Sequence, residues 1–215
     1  MNHDLLVDEI AAIKQWLGTG SINIFGMPFA GKDTQGKILS DMFDGPLLGG
    51  GDILRNSVLP DHVRAAQKKG LLIPTEDYIK IVLPYLGQDD FKQHPLILSS
   101  VGRWHGEEES VMQATEQSGH QVKAVFYLAT SEDEARKRWA KSQEERSKGD
   151  RGDRADDTAE ALEVRLKEFR EKTLPVIDYY RKTDVFYEIN AEQHAPEVTA
   201  QILSTLYEQA VQSKN

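Results

Sequence analysis

The sequence predicts an α/β fold built on a parallel sheet, and three observations carry that prediction. Five short apolar runs alternate with segments of helical periodicity along the 215 residues. The first run, residues 22–25 (I-N-I-F), enters a loop with glycines at Gly26 and Gly31, then Lys32, then residues that can open a helix. The run at 95–100, P-L-I-L-S-S, is apolar until its hydroxyls and reads as a central buried strand. Strands that alternate with helices in this way imply right-handed crossovers.

Taken in order, residues 4–17 place Leu5, Leu6, Ile10, Ile13, Trp16 and Leu17 on one helical face, and Gly18 and Gly20 end the run. This reads as a packing helix without a site. After the loop at 26–35 and its helix, Asp44-Gly45-Pro46 marks a turn and Leu47-Leu48 a short second strand. Three glycines, Gly49 to Gly51, then leave open space before a helix start at Asp52, with Arg55 on its first turn. Residues 60–86 read as helical, interrupted at Gly70-Leu71-Leu72-Ile73-Pro74, where Pro74 demands an extended predecessor. A new helix begins near Thr75, whose hydroxyl and following acids suit an N-terminus.

Downstream of the strand at 95–100, Val101-Gly102-Arg103-Trp104 falls at the carboxyl edge of the sheet, where open parallel sheets bind ligands. A helix over 107–118, a strand over 122–128 and a helix over 131–142 follow. Between Ser142 and Asp157 apolar residues nearly vanish. From Arg138 to Arg154 six bases face four acids, a local excess of positive charge with the composition of a mobile lid. Asp157-Thr158-Ala159-Glu160 has capping-box spacing and opens a helix through about Thr173, with Pro175 breaking or kinking it. Tyr179 and Tyr180 read as core, 185–190 as the last strand and 195–212 as a closing helix.

Composition narrows the function. No apolar run approaches the length of a membrane span, and the first residues carry acids where a secretory signal carries lysines. With no cysteine there is neither a disulfide nor a thiolate zinc site, so a cytoplasmic location is the expectation. The net charge of −9 argues against nucleic-acid binding, and anionic ligands must be met by local positive clusters.

The loop at 26–35 supplies such a cluster. Its spacing turns successive backbone N–H groups inward at the positive end of a helix, so it can wrap a phosphate while Lys32 reaches the outer phosphates of a nucleoside triphosphate. An ordinary glycine-rich strand-to-helix turn is the bland alternative. The strict pattern G-x-x-x-x-G-K-[ST] is broken, because Asp33 stands where a hydroxyl normally reaches the metal and Thr34 comes one position late.

Nearly the whole chain resembles the nucleoside monophosphate kinases of the adenylate kinase type. G-M-P-F-A-G-K-D-T-Q, from Gly26 to Gln35, is similar to their G-x-P-x-x-G-K-x-T-Q. G-G-G-D-I-L-R resembles S-T-G-D-x-[LF]-R, G-L-L-I-P resembles G-x-[LI]-[VI]-[PS], and V-G-R at 101–103 sits where F-P-R usually follows the third strand. R-A-D-D-T-A-E-A-L-E-V-R, from Arg154 to Arg165, is similar to the lid-closing R-x-D-D-x-x-E-x-x-x-x-R, and L-P-V-I-D-Y-Y matches the usual apolar helix end.

The resemblance implies one P-loop NTPase domain over 1–215, three-layered with a five-stranded parallel sheet, an acceptor-binding insertion at about 50–79 and a short lid at about 142–154. It implies a monomer that uses ATP and Mg²⁺ to phosphorylate a nucleoside monophosphate, AMP first. A nucleotide-binding protein of the same fold with weakened catalysis is the alternative. Gly26, Pro28, Ala30, Gly31, Lys32, Asp33, Thr34 and Gln35 would hold the donor. Gly51, Asp52, Arg55, Ile73, Arg103 and Glu107 would line the acceptor site. Arg138 would pack on the donor base, and Arg154 and Arg165 would close over the transferring phosphoryl group, where an arginine is worth about 10³–10⁵ in rate.

Five departures from the family pattern follow. Ser99 replaces the strand-end aspartate that helps hold Mg²⁺, while Asp33 adds a carboxylate nearby, either as a partial metal anchor or as a helix cap. Glu107 stands for a glutamine that reads adenine, and as a pure acceptor it suits guanine at least as well. Gly50 replaces a threonine on the same wall. Ser142 lies where a second lid arginine is expected.

Overall fold

The computed structural model describes residues 3–55, 57–68, 75–147 and 158–213. Five strands, β1 (Ser21–Phe25), β2 (Leu47–Gly49), β3 (Leu96–Ser99), β4 (Val122–Ala129) and β5 (Phe186–Asn190), form one parallel sheet in the order β2-β3-β1-β4-β5. Every residue of β1 and β3 is buried, which is why their side chains are short of charge on both faces. Because β1 lies between β3 and β4, the chain leaves it first to one side and then to the other, so the loops after β1, β3 and β4 open at one edge.

Helices bury one core on each side of the sheet. On one side α1 (His3–Leu17) lies along α10 (Ala195–Gln212), and Ile13 and Leu17 join Leu39 of α2 (Lys32–Phe43), Ile202 and Leu206 against β1 and β4. On the other, α3 (Gly50–Arg55), α4 (Asp61–Lys68), α5 (Thr75–Tyr85) and α6 (Glu108–Gln117) contribute Ile53, Val63, Leu83 and Val111 against β3. Among the described residues, no helix is long and apolar enough to cross a membrane.

Local structure departs from the sequence reading at four places. Gly50 and Gly51 lie inside α3 instead of in open space, because the Tyr78 ring fills the room beside Gly50: a Cβ there would stand 3.4 Å from its Cε2 and Oη. Next, α7 runs Glu132–Ser147, five residues past the expected end at 142, since Q-E-E-R is a run of good helix formers whatever its polarity. The start of the expected lid at 142–154 is therefore helical, and the rest of it falls outside the described residues. Thr158, one residue after Asp157, caps α8 (Ala159–Glu168) by accepting from the Ala161 N–H at 3.2 Å. Finally, Pro175 does not break the helix. A π-helical turn, Phe169–Thr173, widens the ladder just before α9 (Leu174–Tyr180) and absorbs the missing donor.

Buried Asn23 connects strand to site. From the middle of β1 its amide donates to the Val101 carbonyl at 2.8 Å and accepts from the Val101 N–H at 3.3 Å, pinning the segment beyond β3 to the central strand.

Candidate active site

The loop after β1 and the segment after β3 are neighbours because Ile24 pairs with Ser99 in the sheet register. Each contains a non-glycine residue in the left-handed region, Phe29 at φ 63° and Ser100 at φ 50°. Such residues cost on the order of 1–3 kcal/mol each and gather where a loop must present its backbone or side chains in one fixed way. Gly31, at φ 96°, completes the turn into α2, a conformation open to glycine but strained for other residues.

Lys32 opens α2 and folds back across the loop. Its ammonium donates to the carbonyls of Gly26 at 2.6 Å and Met27 at 2.8 Å. Burial and then the Arg103 charge pull its pKa from about 10.5 down to about 7; the Asp33 carboxylate opposes this and Arg165 adds to it. Side chains from α2, from the segment after β3 and from α8 thus act on one point.

Each arginine is held in place by neighbouring groups. Arg103 Nε donates to the Ser100 carbonyl at 3.2 Å, and the Thr173 hydroxyl of the π turn donates to the Arg103 carbonyl at 3.3 Å. Arg165 lies over the Phe29 ring, 5.6 Å from its centroid. Arg138, on α7, donates to the Ala191 carbonyl at 2.6 Å, to the Phe29 carbonyl at 3.4 Å and to Glu134 at 3.0 Å. It ties the loop tip to the end of β5, so its first observed role is to shape the loop.

Two expected site residues have their side chains engaged elsewhere. Gln35 is buried and faces α10, donating to the Ala195 carbonyl at 3.0 Å and accepting from Thr199 at 2.8 Å. Glu107, expected on the acceptor base, is buried with Oε2 accepting from the N–H groups of Arg103 at 2.8 Å and Trp104 at 3.1 Å. An apolar loop cannot leave those donors unmet, and a carboxylate serves both. Trp104 carries the Lys172 ammonium on its face at 4.5 Å. Ser142 is buried and donates back to the Trp139 carbonyl at 2.7 Å, so it offers the site nothing.

Of the other expected residues, Pro28 and Ala30 are buried in the loop and Thr34 is exposed. Asp33 is exposed in the first turn of α2, with Gly31 in the cap position, so Asp33 does not cap the helix. Gly51, Asp52 and Arg55 lie on α3, with no side-chain placement described for them. Ile73 and Arg154 fall outside the described residues.

Sequence reasoning missed Asn23, Phe29, Tyr78 and Arg136. The last makes a bidentate pair with Glu163, at 2.8 and 3.0 Å, and a further bond to Glu132, which also pairs with Arg170. These exposed contacts staple α7 to α8. Only the polar Asn23 inside an apolar strand was a usable signal.

The family model for adenylate kinase matches residues 24–185, spanning both loops and α8. The chain belongs to the adenylate kinase family. The adenylate kinase of Cyanothece sp. is 33% identical over 184 residues, covering 83% of this chain and 91% of the relative. That of Dehalococcoides mccartyi is 29% identical over 212 residues (86% and 97%), and that of Archaeoglobus fulgidus 28% over 207 residues (84% and 95%). Membership makes the chain an ATP-dependent nucleoside monophosphate kinase, and the sheet with its flanking helices is the P-loop fold of that family.

Lys32 gives this family site a measurable signature. In the free chain it is mostly neutral at pH 8, whereas unfolded lysine stays protonated until about 10.5, so this residue adds stability as pH rises from about 7 toward 10. A bound triphosphate is expected to restore the charge. Calorimetry of ATP binding at pH 8, in buffers of different ionisation enthalpy, is expected to show uptake approaching one proton, and Lys32→Met to abolish it.

Proposed function

We propose that the acceptor is AMP, phosphorylated by Mg²⁺-ATP in a site complete within one chain, and that the protein works as a cytoplasmic monomer. The observation that carries this reading is the joint action of Arg103 and Arg165 on Lys32, three cations from three elements at one point. The nucleophile in such a transfer is a phosphate oxygen, already anionic, so no general base is required. An acceptor oxygen forms the new bond to the γ-phosphorus while the bond to the β–γ bridging oxygen breaks, and ADP leaves. What the protein must supply is alignment and positive charge.

In this reading the loop N–H groups and Lys32 hold the donor phosphates, Arg103 and Arg55 hold the acceptor phosphate, and Arg165 and Arg154 meet the group in transit. Adenine is favoured over guanine on two counts. The relatives are named adenylate kinases, and the reason for guanine weakens once one oxygen of Glu107 is committed to the loop backbone.

Mg²⁺ needs few protein ligands when phosphates supply the rest. Asp33, one residue beyond Lys32 and within its electrostatic reach, fits as the single carboxylate, while Ser99 offers only a mostly buried hydroxyl. Bound there, the ion would neutralise phosphate charge. The other reading, a binding protein with weakened turnover, is favoured by Ser142, which supplies no cation from α7.

A coupled assay with Mg²⁺-ATP and AMP, GMP, CMP, UMP or dTMP is expected to give the highest kcat/KM with AMP. Binding without turnover on any acceptor would establish the weakened reading instead. Asp33→Asn is expected to raise the Mg²⁺ concentration for half-maximal rate severalfold, and an unchanged Mg²⁺ titration would remove Asp33 from the metal.

A further inference from the structure

Tyr78 stands on α5, in the stretch between β2 and β3, and is 6% exposed. Its phenol oxygen accepts from the Gly102 N–H at 2.7 Å. Gly102 sits at φ 79°, in the V-G-R stretch that takes the place of F-P-R. A proline there could neither adopt that angle nor donate, so the tyrosine and the glycine answer one another. A Cβ at Gly102 would also come within 2.8 Å of Val111 Cγ2, leaving little room for any larger residue.

The same ring closes on a second segment. Gly50, the first residue of α3, lies so near that a Cβ on it would be in contact with Tyr78 Cε2 and Oη. Both Glu107 and Arg103 also act on the phenol, whose pKa is pushed up mainly by burial. One side chain therefore joins α5, the start of the helix that carries Asp52 and Arg55, and the segment that presents Arg103 and Glu107. These are the segments assigned above to the acceptor. Among the described residues nothing comparable links Tyr78 to the loop at 26–31, which is shaped instead by Lys32, Arg138 and Arg165.

We infer that Tyr78 is a positioning residue for the acceptor nucleotide: its bond to Gly102 and its contact with Gly50 fix the Arg103 segment against α3, and so set the affinity for the monophosphate and not for ATP. This rests on the kinase reading of the same site. The hydroxyl matters because a phenylalanine would fill the same space and leave the Gly102 N–H buried without its partner.

The test is Tyr78→Phe in the full chain. Initial rates are measured against each monophosphate at saturating ATP, and against ATP at saturating acceptor. Equilibrium titrations with AMP and with ATP accompany them. The expected result is a rise of about tenfold in acceptor KM and in the AMP dissociation constant, with the ATP values within twofold. The unchanged ATP values also report that the variant is folded. A parallel loss toward both nucleotides, or a lowered melting temperature with both constants unchanged, would make Tyr78 a purely structural residue and overturn the inference. A failure of the kinase reading shows separately, as absent turnover in the unsubstituted protein, and the AMP titrations of the two proteins still decide the role of Tyr78.

Discussion

Like charges gathered before their ligand arrives are the constraint on which this structure turns. Lys32, Arg103 and Arg165 come from three parts of the chain, and burial first, then the charges of Arg103 and Arg165, hold the lysine at about pH 7, more than three units below its usual range. A fold that did nothing else would spread such charges apart. Here two loop carbonyls hold Lys32, the Ser100 carbonyl takes Arg103 Nε and the Phe29 ring lies under Arg165, while the Asp33 carboxylate also acts on the lysine. Positive charge gathered in this way is the property a polyphosphate needs, since stabilisation comes from charge already in place when the reaction begins.

The sheet makes this possible by placing turns from separate parts of the chain on one edge. β1 and β3 are adjacent and parallel, so the turns after them meet although more than seventy residues separate them. Asn23 then locks the second turn to the first strand, and left-handed residues at Phe29 and Ser100 aim the two backbones. The π turn before Pro175 belongs to the same design. It both relieves the proline and brings the Thr173 hydroxyl onto the Arg103 carbonyl, in keeping with the frequency of such turns at functional sites.

Much of this was legible in the amino-acid sequence, and the parts that were not share a cause. Strands and helices showed through because their apolar periodicity is set by burial, and the closing helix 195–212 agrees to the residue. The loop with Lys32 showed through because its glycines and lysine have few other uses together. What stayed hidden depends on which side chain meets which across the sheet. Gly50 looked like open space until Tyr78, 28 positions on, took it up. Glu107 looked like a base reader until the N–H groups of Arg103 and Trp104 claimed its oxygen. Gln35, inside a strong motif, faces α10 because its place on α2 points there. Local pattern constrains local conformation, whereas a long-range polar partner leaves no trace in it.

The claim beneath all of this is that the cations share a field, and the titration of one of them measures it. Chemical shifts at the Lys32 Cε and Nζ, followed by NMR against pH in the free protein, are predicted to turn over near pH 7, and to move upward when Arg103 is replaced by alanine. A midpoint near 10.5 that is indifferent to Arg103 would contradict the account.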